Sequence, residues 1–378
     1  MPKRTFLYIL LLILFLTGCG QQKTSPEDLA RYYESLLTRE EEAQEEQERK
    51  TVGVVMPTRT SERWINDGVN MKAKLEMLGY EVDLQYADDD IELQIAQIEK
   101  MIKDEVDCLV IASIDSQQLT DSLQIAKERN IPIIAYDRLL MDTDAVSYYA
   151  SFDNKAEGTL IGRYIVQKMG LESARLQGRS YTIEFFMGSP DDNNALFLYD
   201  GLMEQLQPYL DSGTLVCRSG QTSFEETCIL RWSKETARLR CQSLMEEYYT
   251  AEKLDIACSA FDGFAYGILQ ACRKEGYTET DWPFITGQDS EREAVSNIVN
   301  GYQTMSIFKD TRVLSSKCVT MVQAVLENTQ PEINDVDTYN NNVMTVASYL
   351  CDPVVVDAES YEKVLIESGY YTREQIFK

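Results

Sequence analysis

The sequence contains no histidine among its 378 residues. This absence excludes a Ser-His-Asp triad, a Cys-His dyad and any zinc site with histidine ligands. The nine cysteines form no CxxC pair. The chain also shows no P-loop, no nucleophile elbow and no metal-binding motif. Acid–base chemistry would depend on carboxylates, lysine, tyrosine or cysteine, and neither a metal nor a cofactor is expected.

Basic residues are also scarce. The chain has 36 lysines and arginines against 62 aspartates and glutamates, which gives a net charge of −26. A chain this acidic repels phosphate groups, so nucleic acid is not an expected partner. No helix-turn-helix pattern precedes residue 51, which argues against a DNA-binding repressor. Hydrophobic residues make up 44% of the chain, as in a globular protein. Its length of 378 residues suffices for two domains.

The N-terminus carries a targeting pattern. A short basic start precedes an apolar run, 6–16, that is too short to span a bilayer as a permanent helix. "LTGC" follows and resembles a lipobox, which predicts a signal peptide of residues 1–18 and lipidation of Cys19; an ordinary secretory signal is the alternative. The mature chain is then extracytoplasmic and lipid-anchored to the cell membrane of a bacterium, with residues 19–50 as an acidic tether.

Eight further cysteines follow Cys19 along the chain. Cys108, Cys217 and Cys258 lie in apolar, strand-like runs, where free cysteine behaves as a small buried hydrophobe. Free thiols are therefore favoured, although an exported protein can oxidise its cysteines. Cys217 with Cys228 is the pair to check for a disulfide.

From residue 51 onward, short apolar runs alternate with amphipathic stretches. "TVGVVM" (51–56), "DCLVIAS" (107–113) and "IPIIAY" (131–136) are typical of buried strands, and helical spacing fills the intervals. This alternation predicts parallel sheets with helices on both faces. The strands are too many for one small sheet, so we expect two successive doubly wound sheets of about five strands each, divided near 150–156.

Charged and amide residues follow these strands. "IPIIAY" ends directly on Asp137 and Arg138, a pair that is costly to bury unless it is paired. In an open parallel sheet, ligands bind outside the carboxyl ends of the strands, where such groups can pair with vicinal hydroxyls. The alternative to ligand binding is that these residues cap the helices that follow the strands. We favour capping for 88–90, Asp191 and Asp192. Equivalent clusters in the second half are "GSPDDNNA" (188–195), "FDG" (261–263), "GQD" (287–289) and "FKD" (308–310).

Two tryptophans extend this polar set. Trp64 and Trp232 offer apolar rings for the face of a sugar. Plain core packing is the alternative for each ring.

Short segments spread over about 52–378 carry a family resemblance. They are "RWINDG", "LQYADDD", "LVIASID", "IAYDRL", "YYASFDN", "GSPDDNNA", "YDGLM", "LRW", "GQD", "IFKDTR" and "SGYY". Together they closely resemble the multiple-sugar-binding lipoproteins of ABC transport systems, relatives of the periplasmic xylose-binding protein. The resemblance implies two α/β lobes joined by three hinge crossings that close on a sugar. The first lobe would hold 51–154 with about 290–345, and the second 155–289 with about 346–378.

The resemblance also implies the ligand contacts, matched residue by residue. The family usually has lysine where this chain has Arg59, which keeps the charge but changes its geometry. The implied contacts are Arg59, Arg63, Trp64, Asp115, Asp137, Arg138, Asn194, Trp232, Asp262, Asp289 and Lys309.

The implied function is capture of a monosaccharide, an aldopentose or aldohexose, and its delivery by a monomeric protein to an ABC permease. A sugar sensor accessory that presents the ligand to a histidine kinase or chemoreceptor is the alternative. The rival from a different class is an enzyme, because carboxylates facing each other across a cleft can hydrolyse a glycoside. The polar set is dominated by groups that hold hydroxyls, so no catalytic residue is assigned.

Overall fold

A computed structural model describes residues 49–377, together with residues 25, 31–32 and 34–35. The signal peptide expected at 1–18, the lipidation site Cys19 and most of the expected tether lie outside the described residues. Residues 31–32 and 34–35 are helical and exposed. Residues 50–378 form a compact unit of their own.

The first lobe is built on a six-stranded sheet in the order β11-β5-β4-β3-β1-β2. All neighbouring strands in it are parallel. β1, β3 and β4 are buried almost throughout, as expected for strands covered by helices on both faces. The strands are β1 (Thr51–Met56), β2 (Glu81–Tyr86), β3 (Cys108–Ile111), β4 (Ile133–Tyr136), β5 (Val146–Phe152) and β11 (Ser348–Cys351).

The second lobe has a four-stranded parallel sheet in the order β7-β6-β8-β9. A bridge between Gln288 and Ile307 joins it to the antiparallel pair β10-β12. Both sheets reverse their winding at an inner strand, which is the arrangement that creates a ligand crevice at the carboxyl ends. The strands are β6 (Tyr181–Phe186), β7 (Leu215–Val216), β8 (Ile256–Ser259), β9 (Phe284–Ile285), β10 (Met305–Phe308) and β12 (Val354–Asp357).

Helices cover both sheets. A 3-10 turn (Leu230–Trp232) and a π-helical turn (Glu362–Ile366) add to the α-helices. The α-helices are α1 (Glu62–Met77), α2 (Ile91–Lys103), α3 (Thr120–Glu128), α4 (Asn154–Lys168), α5 (Leu171–Leu176), α6 (Asn193–Asp211), α7 (Phe224–Thr227), α8 (Lys234–Tyr248), α9 (Asp262–Lys274), α10 (Arg292–Val299), α11 (Thr311–Leu326) and α12 (Arg373–Ile376).

The chain crosses between the lobes three times, at 152–154, 308–311 and 351–354. The expected two-lobe α/β fold with three crossings is therefore confirmed. Two of the expected boundaries lie elsewhere. The chain around 290–308 belongs to the second lobe, because β10 pairs with β12, and 348–351 belongs to the first lobe, because β11 pairs with β5.

Close helix packing positions the start of the second lobe. α4 and α6 approach each other at Gly158 and Gly201. A Cβ on Gly158 would lie 1.8 Å from the Leu198 carbonyl oxygen, and one on Gly201 would lie 2.0 Å from that of Lys155. Only glycine permits this approach. The two helices consequently begin side by side, at the cleft.

The described residues contain no helix long and apolar enough to cross a membrane, and no cluster of potential metal ligands. The eight cysteines of this part of the chain are free. Cys217 and Cys228 are half-buried thiols that contact oxygen atoms of other residues, and the remaining six are buried.

Candidate functional site

A cavity of about 350 Å³ lies between the two lobes, at the carboxyl ends of both sheets. Its volume falls within the range of small-molecule sites. It brings together nine of the eleven predicted site residues, namely Arg63, Trp64, Asp137, Arg138, Asn194, Trp232, Asp262, Asp289 and Lys309. The charged pair at the end of β4 therefore points into a polar cleft, as the sequence indicates.

Asp137 is the centre of the first-lobe wall. It is buried, with a φ of 62°, a left-handed conformation that aspartate adopts more readily than most residues. Its carboxylate pairs with Arg63. Its carbonyl oxygen accepts hydrogen bonds from Tyr149 Oη at 2.6 Å, Ser151 Oγ at 2.8 Å and Asn194 Nδ2 at 2.6 Å. Three donors on one carbonyl hold this strained turn in place.

Two guanidinium groups flank Trp64 on the same wall. Arg63 Cζ lies 4.5 Å and Arg138 Cζ 5.3 Å from the centre of a ring of Trp64, within the range of cation–π attraction. Arg138 also donates to the carbonyl oxygen of Ser113 at 2.9 Å. Its Nε lies 3.0 Å from Asp192 Oδ2 in the opposite lobe. The first wall thus presents ordered cations.

Asp192 is the corresponding acidic group of the second lobe. It caps α6, as the sequence indicates, by accepting from Asn194 N at 3.1 Å. It also pairs with Arg138 across the cleft and accepts from Trp232 Nε1 at 3.2 Å. Burial raises the pKa of Asp192, although Arg138 opposes this shift. One carboxylate therefore caps a helix, orients a tryptophan and bridges the lobes.

Trp232 is held by other aromatic rings. It stacks on Phe264 at 5.8 Å and meets Phe261 edge-on at 5.9 Å. Trp232 and Arg231 both have positive φ, and the indole fits only because residue 188 is glycine. A Cβ there would lie 2.2 Å from the indole. The ring is thus fixed in the cavity wall by packing on one side and a hydrogen bond on the other.

Asp262 lines the cavity but is mostly engaged within its own lobe. Its carboxylate accepts from Gln303 Nε2 at 2.8 Å, Ser306 Oγ at 3.0 Å and Glu291 N at 2.9 Å. Burial raises the pKa of Asp262 well above its usual value. This group holds the strand-end loops of the second lobe together at the cavity wall.

The floor of the cavity is a buried charge network. Lys309 Nζ lies 2.9 Å from Asp289 Oδ1 and 4.0 Å from Glu157 Oε2. Gln288, in the amide orientation that satisfies its neighbours, donates to Glu157 at 2.7 Å and accepts from Lys309 at 2.6 Å. Burial raises the pKa of Glu157 to about 7. Burial also disfavours the charges of Asp289 and Lys309, but their pairing outweighs it, so the pKa of Asp289 is lowered and that of Lys309 raised.

Contacts across the cleft show that the lobes are closed on each other. Arg231 Nη1 donates to the Ile114 carbonyl oxygen at 3.4 Å, and Ser116 N donates to that of Asp191 at 3.1 Å. Arg292 of the second lobe pairs with Glu62 of the first. Together with the Arg138–Asp192 pair, these contacts close the mouth of the cavity.

The structure places two predicted residues outside the cavity. Arg59 pairs with Asp88 at 3.0 Å on the surface and covers the ring of Tyr86. Asp115 accepts from Gln117 N at 2.9 Å in its own turn. The partner of Arg59 follows the neighbouring strand β2, and the partner of Asp115 lies in the same turn. These contacts hold both side chains away from the cleft.

Several lining residues were absent from the predicted set. Asp192, Arg231 and Gln288 lie inside or beside motifs that carried the resemblance, "GSPDDNNA", "LRW" and "GQD", so their neighbourhood signalled them. Asn154 opens α4 and also lines the cavity. Glu157 does not itself line the cavity and lies behind Lys309. It carries no comparable signal, because its position depends on how α4 meets the hinge.

Comparison with known proteins identifies the family of this chain. The periplasmic binding protein domain matches residues 52–330. The chain is 47% identical to the multiple sugar-binding periplasmic receptor ChvE of Rhizobium radiobacter, over 86% of this chain and 92% of the receptor. It is 45% identical to the multiple sugar-binding periplasmic protein SbpA of Azospirillum brasilense, over 87% and 92%.

A solved structure has the same architecture. The ABC transporter solute binding protein of Clostridium phytofermentans, with bound β-D-glucose, superposes with a TM-score of 0.83 at 46% identity, covering 86% of this chain and all of that one. The profile match alone spans more than half of the chain. The chain therefore belongs to the periplasmic binding protein domain family.

Proposed function

We propose that this protein is the extracytoplasmic solute-binding component of an ABC transporter and that its cargo is a monosaccharide. The observation that carries this proposal is the closed, polar cavity between the lobes. Carboxylates, guanidinium groups, amides and an ammonium converge there from both walls beside two indole rings. These groups form paired hydrogen bonds to adjacent hydroxyls, and the rings cover the apolar face of a sugar.

The size of the cavity and the relatives favour a single sugar ring. A volume of about 350 Å³ lies at the lower end of the range for small-molecule sites. The Clostridium phytofermentans relative holds β-D-glucose, and a Chloroflexus aurantiacus relative, 27% identical with a TM-score of 0.76, is in complex with D-glucose. An aldohexose or aldopentose is the cargo class these observations support.

Capture depends on closure. The Arg138–Asp192 pair and the hydrogen bond from Asn194 to the Asp137 carbonyl join opposite lobes, so they exist only when the lobes meet. A sugar that contacts both walls binds the closed state better than the open one and shifts the population towards it. The closed protein then presents its cargo to the permease, held near the membrane by a lipid on Cys19.

The proposal describes a binding protein and not an enzyme. Asp137, Asp192 and Asp289 each face a basic partner, and Asp262 accepts three hydrogen bonds. Such fully engaged carboxylates suit holding hydroxyls better than shuttling protons. Incubation with disaccharides and a product assay tests this point, and we expect no cleavage.

Thermal unfolding against a panel of pentoses, hexoses, amino acids and nucleosides tests the proposal directly. A ligand at a hundred times its Kd adds about 2.7 kcal/mol to stability. We expect a rise in Tm with one or more aldoses and none with the other classes. A rise with a nucleoside or amino acid alone would overturn the sugar assignment.

Membrane attachment is tested separately. We expect the wild-type protein in the membrane fraction of the native cell and a Cys19→Ser variant outside it. Recovery of that variant with the membranes would count against the lipid anchor.

A further inference from the structure

A second cavity, of about 530 Å³, adjoins the proposed sugar site. Arg63, Asp289, Glu291 and Lys309 line both cavities. This second cavity, the side cavity, therefore lies against the floor of the sugar site and extends towards the C-terminal segment. Its volume leaves room for another sugar-sized ring.

The far wall of the side cavity is aromatic. Tyr370 and Tyr371 line it, with their ring centres 4.8 Å apart and their planes at 75°. Tyr370 is fixed, because its ring packs on Phe308 at 4.7 Å and its hydroxyl lies 3.3 Å from Thr311 Oγ1. In the described part of the chain, no hydrogen bond reaches the hydroxyl of the half-buried Tyr371. Tyr371 is thus the ring available to a ligand.

Polar groups suited to hydroxyls surround that ring. The amides of Asn66 and Gln375 line the side cavity, as does the carboxylate of Glu291. Within the described residues, no hydrogen bond or ion pair engages this carboxylate, and burial raises its pKa to about 7. An unengaged, largely buried carboxylate at the junction of two cavities gains a partner when a hydroxyl binds there.

The side cavity also has an outlet. A third cavity beyond it shares Tyr370, Tyr371 and Gln375. The Arg292–Glu62 pair joins the lobes along the same boundary, and both of its side chains are partly exposed. Exposed pairs are worth little, so this pair can open without a large loss of stability. A bound group longer than one ring would therefore not have to be fully enclosed.

We infer that the side cavity is a subsite for the second ring of a substituted sugar, a glycoside or disaccharide, with that ring against Tyr371. This inference rests on the proposed function, because the first ring must occupy the sugar site. It widens the cargo from monosaccharides to monosaccharides carrying a ring at one end.

Calorimetric titration of the full chain tests this subsite. The probes are D-glucose, D-xylose and D-galactose, their phenyl β-glycosides, and the β-1,4- and β-1,6-linked disaccharides of glucose, which extend the sugar from either end. The variant is Tyr371→Ala. Phe377→Ala is the matched control, because it removes an exposed ring from the same C-terminal segment outside the side cavity.

We expect at least one two-ring compound to bind the wild-type protein. Tyr371→Ala should weaken that compound about tenfold and change the Kd of the free monosaccharide less than twofold, and Phe377→Ala should change neither. If a monosaccharide binds but no two-ring compound does, or if Tyr371→Ala weakens both equally, the subsite is overturned and the proposed function stands. If none of the sugars binds, both fall.

Discussion

Trp64 and Trp232 face the same cavity from opposite lobes, yet their surroundings differ. Trp64 lies between the guanidinium groups of Arg63 and Arg138. Trp232 stacks on Phe264 and donates to Asp192. The first ring packs into the core of its lobe and orders two cations, whereas the second is held by a hydrophobic cluster and by a carboxylate. Both rings therefore pack against apolar residues, and they differ in the charged groups that they contact.

The two walls carry this difference further. The first lobe contributes guanidinium groups, and the second contributes the capping carboxylate that meets one of them across the cleft. The Arg138–Asp192 pair favours closure, because each of these desolvated charges gains a partner when the lobes meet. Arg138 and Asp192 therefore contribute both to closure of the lobes and to the wall of the proposed sugar site.

The largest effect should appear behind the first wall, at Asp67. This carboxylate is fully buried and lies 3.5 Å from Arg63. Burial raises its pKa to about 7, although Arg63 opposes the shift and Asp137 adds to it.

Because that folded-state pKa lies above the unfolded value, Asp67 keeps its proton in the folded state after the unfolded chain has lost it. Stability from this group is full below the unfolded pKa and declines by about 1.4 kcal/mol per pH unit until about pH 7. We predict that Asp67→Asn removes this decline, measured by denaturant unfolding between pH 4 and 8. Asp121→Asn, on the exposed face of α3, is the control, and an unchanged slope in the Asp67 variant would contradict the prediction.

The next largest effect should appear at the floor, where the lobes and the hinge meet. Asp289→Asn removes the charge that pairs with Lys309 and leaves that lysine with Gln288 and the more distant Glu157. We expect sugar affinity to fall about a hundredfold, or about 3 kcal/mol, with the fold retained. Calorimetric titration measures this, with Asp88→Asn as the exposed control. An unchanged Kd would remove Asp289 from the site.

The two tryptophans should respond differently to the same change. Trp64→Leu removes the ring that orders two arginines, so we expect about tenfold weaker sugar binding. Trp232→Leu removes an aromatic stack and a hydrogen bond, so we expect a loss of stability of about 2 kcal/mol as well. Affinity and Tm are measured for both variants. Equal losses of Tm in the two would break the comparison.

The smallest effect is expected at Arg59. Its guanidinium pairs with Asp88 in an exposed position outside the cavity. We predict that Arg59→Ala changes sugar affinity less than twofold, because surface pairs contribute little. A loss above tenfold would place Arg59 in the site after all.

The architecture followed from the sequence because its signals are local. Apolar runs such as 51–56 and 131–136 encode buried strands, and the polar residues that end them mark one edge of each sheet. The lobe boundaries after residue 290 did not follow. Assigning β10 and β11 to a lobe requires knowing which strands they pair with, and those partners lie far away in the sequence.

Nine of eleven predicted site residues reach the cavity. Most of them follow a strand end inside a recognisable motif, whereas Trp232 ends the 3-10 turn that comes after α7. Arg59 and Asp115 also follow strand ends but turn to local partners, and nothing in their spacing distinguishes the two outcomes. Residue type and position along the chain therefore predict which side chains can reach the cleft, and side-chain contacts decide which of them do.

The sequence by itself determined the α/β class, the acidic character, the absence of histidine chemistry and the strand-end position of the polar groups. Only the tertiary structure decided that Glu157 lies beneath Lys309, that the capping residue Asp192 also bridges the lobes, and that a side cavity extends towards Tyr371. The physical reason is distance along the chain. Strands and caps depend on neighbouring residues, whereas these three features join segments that meet only when both lobes and the C-terminal segment have packed.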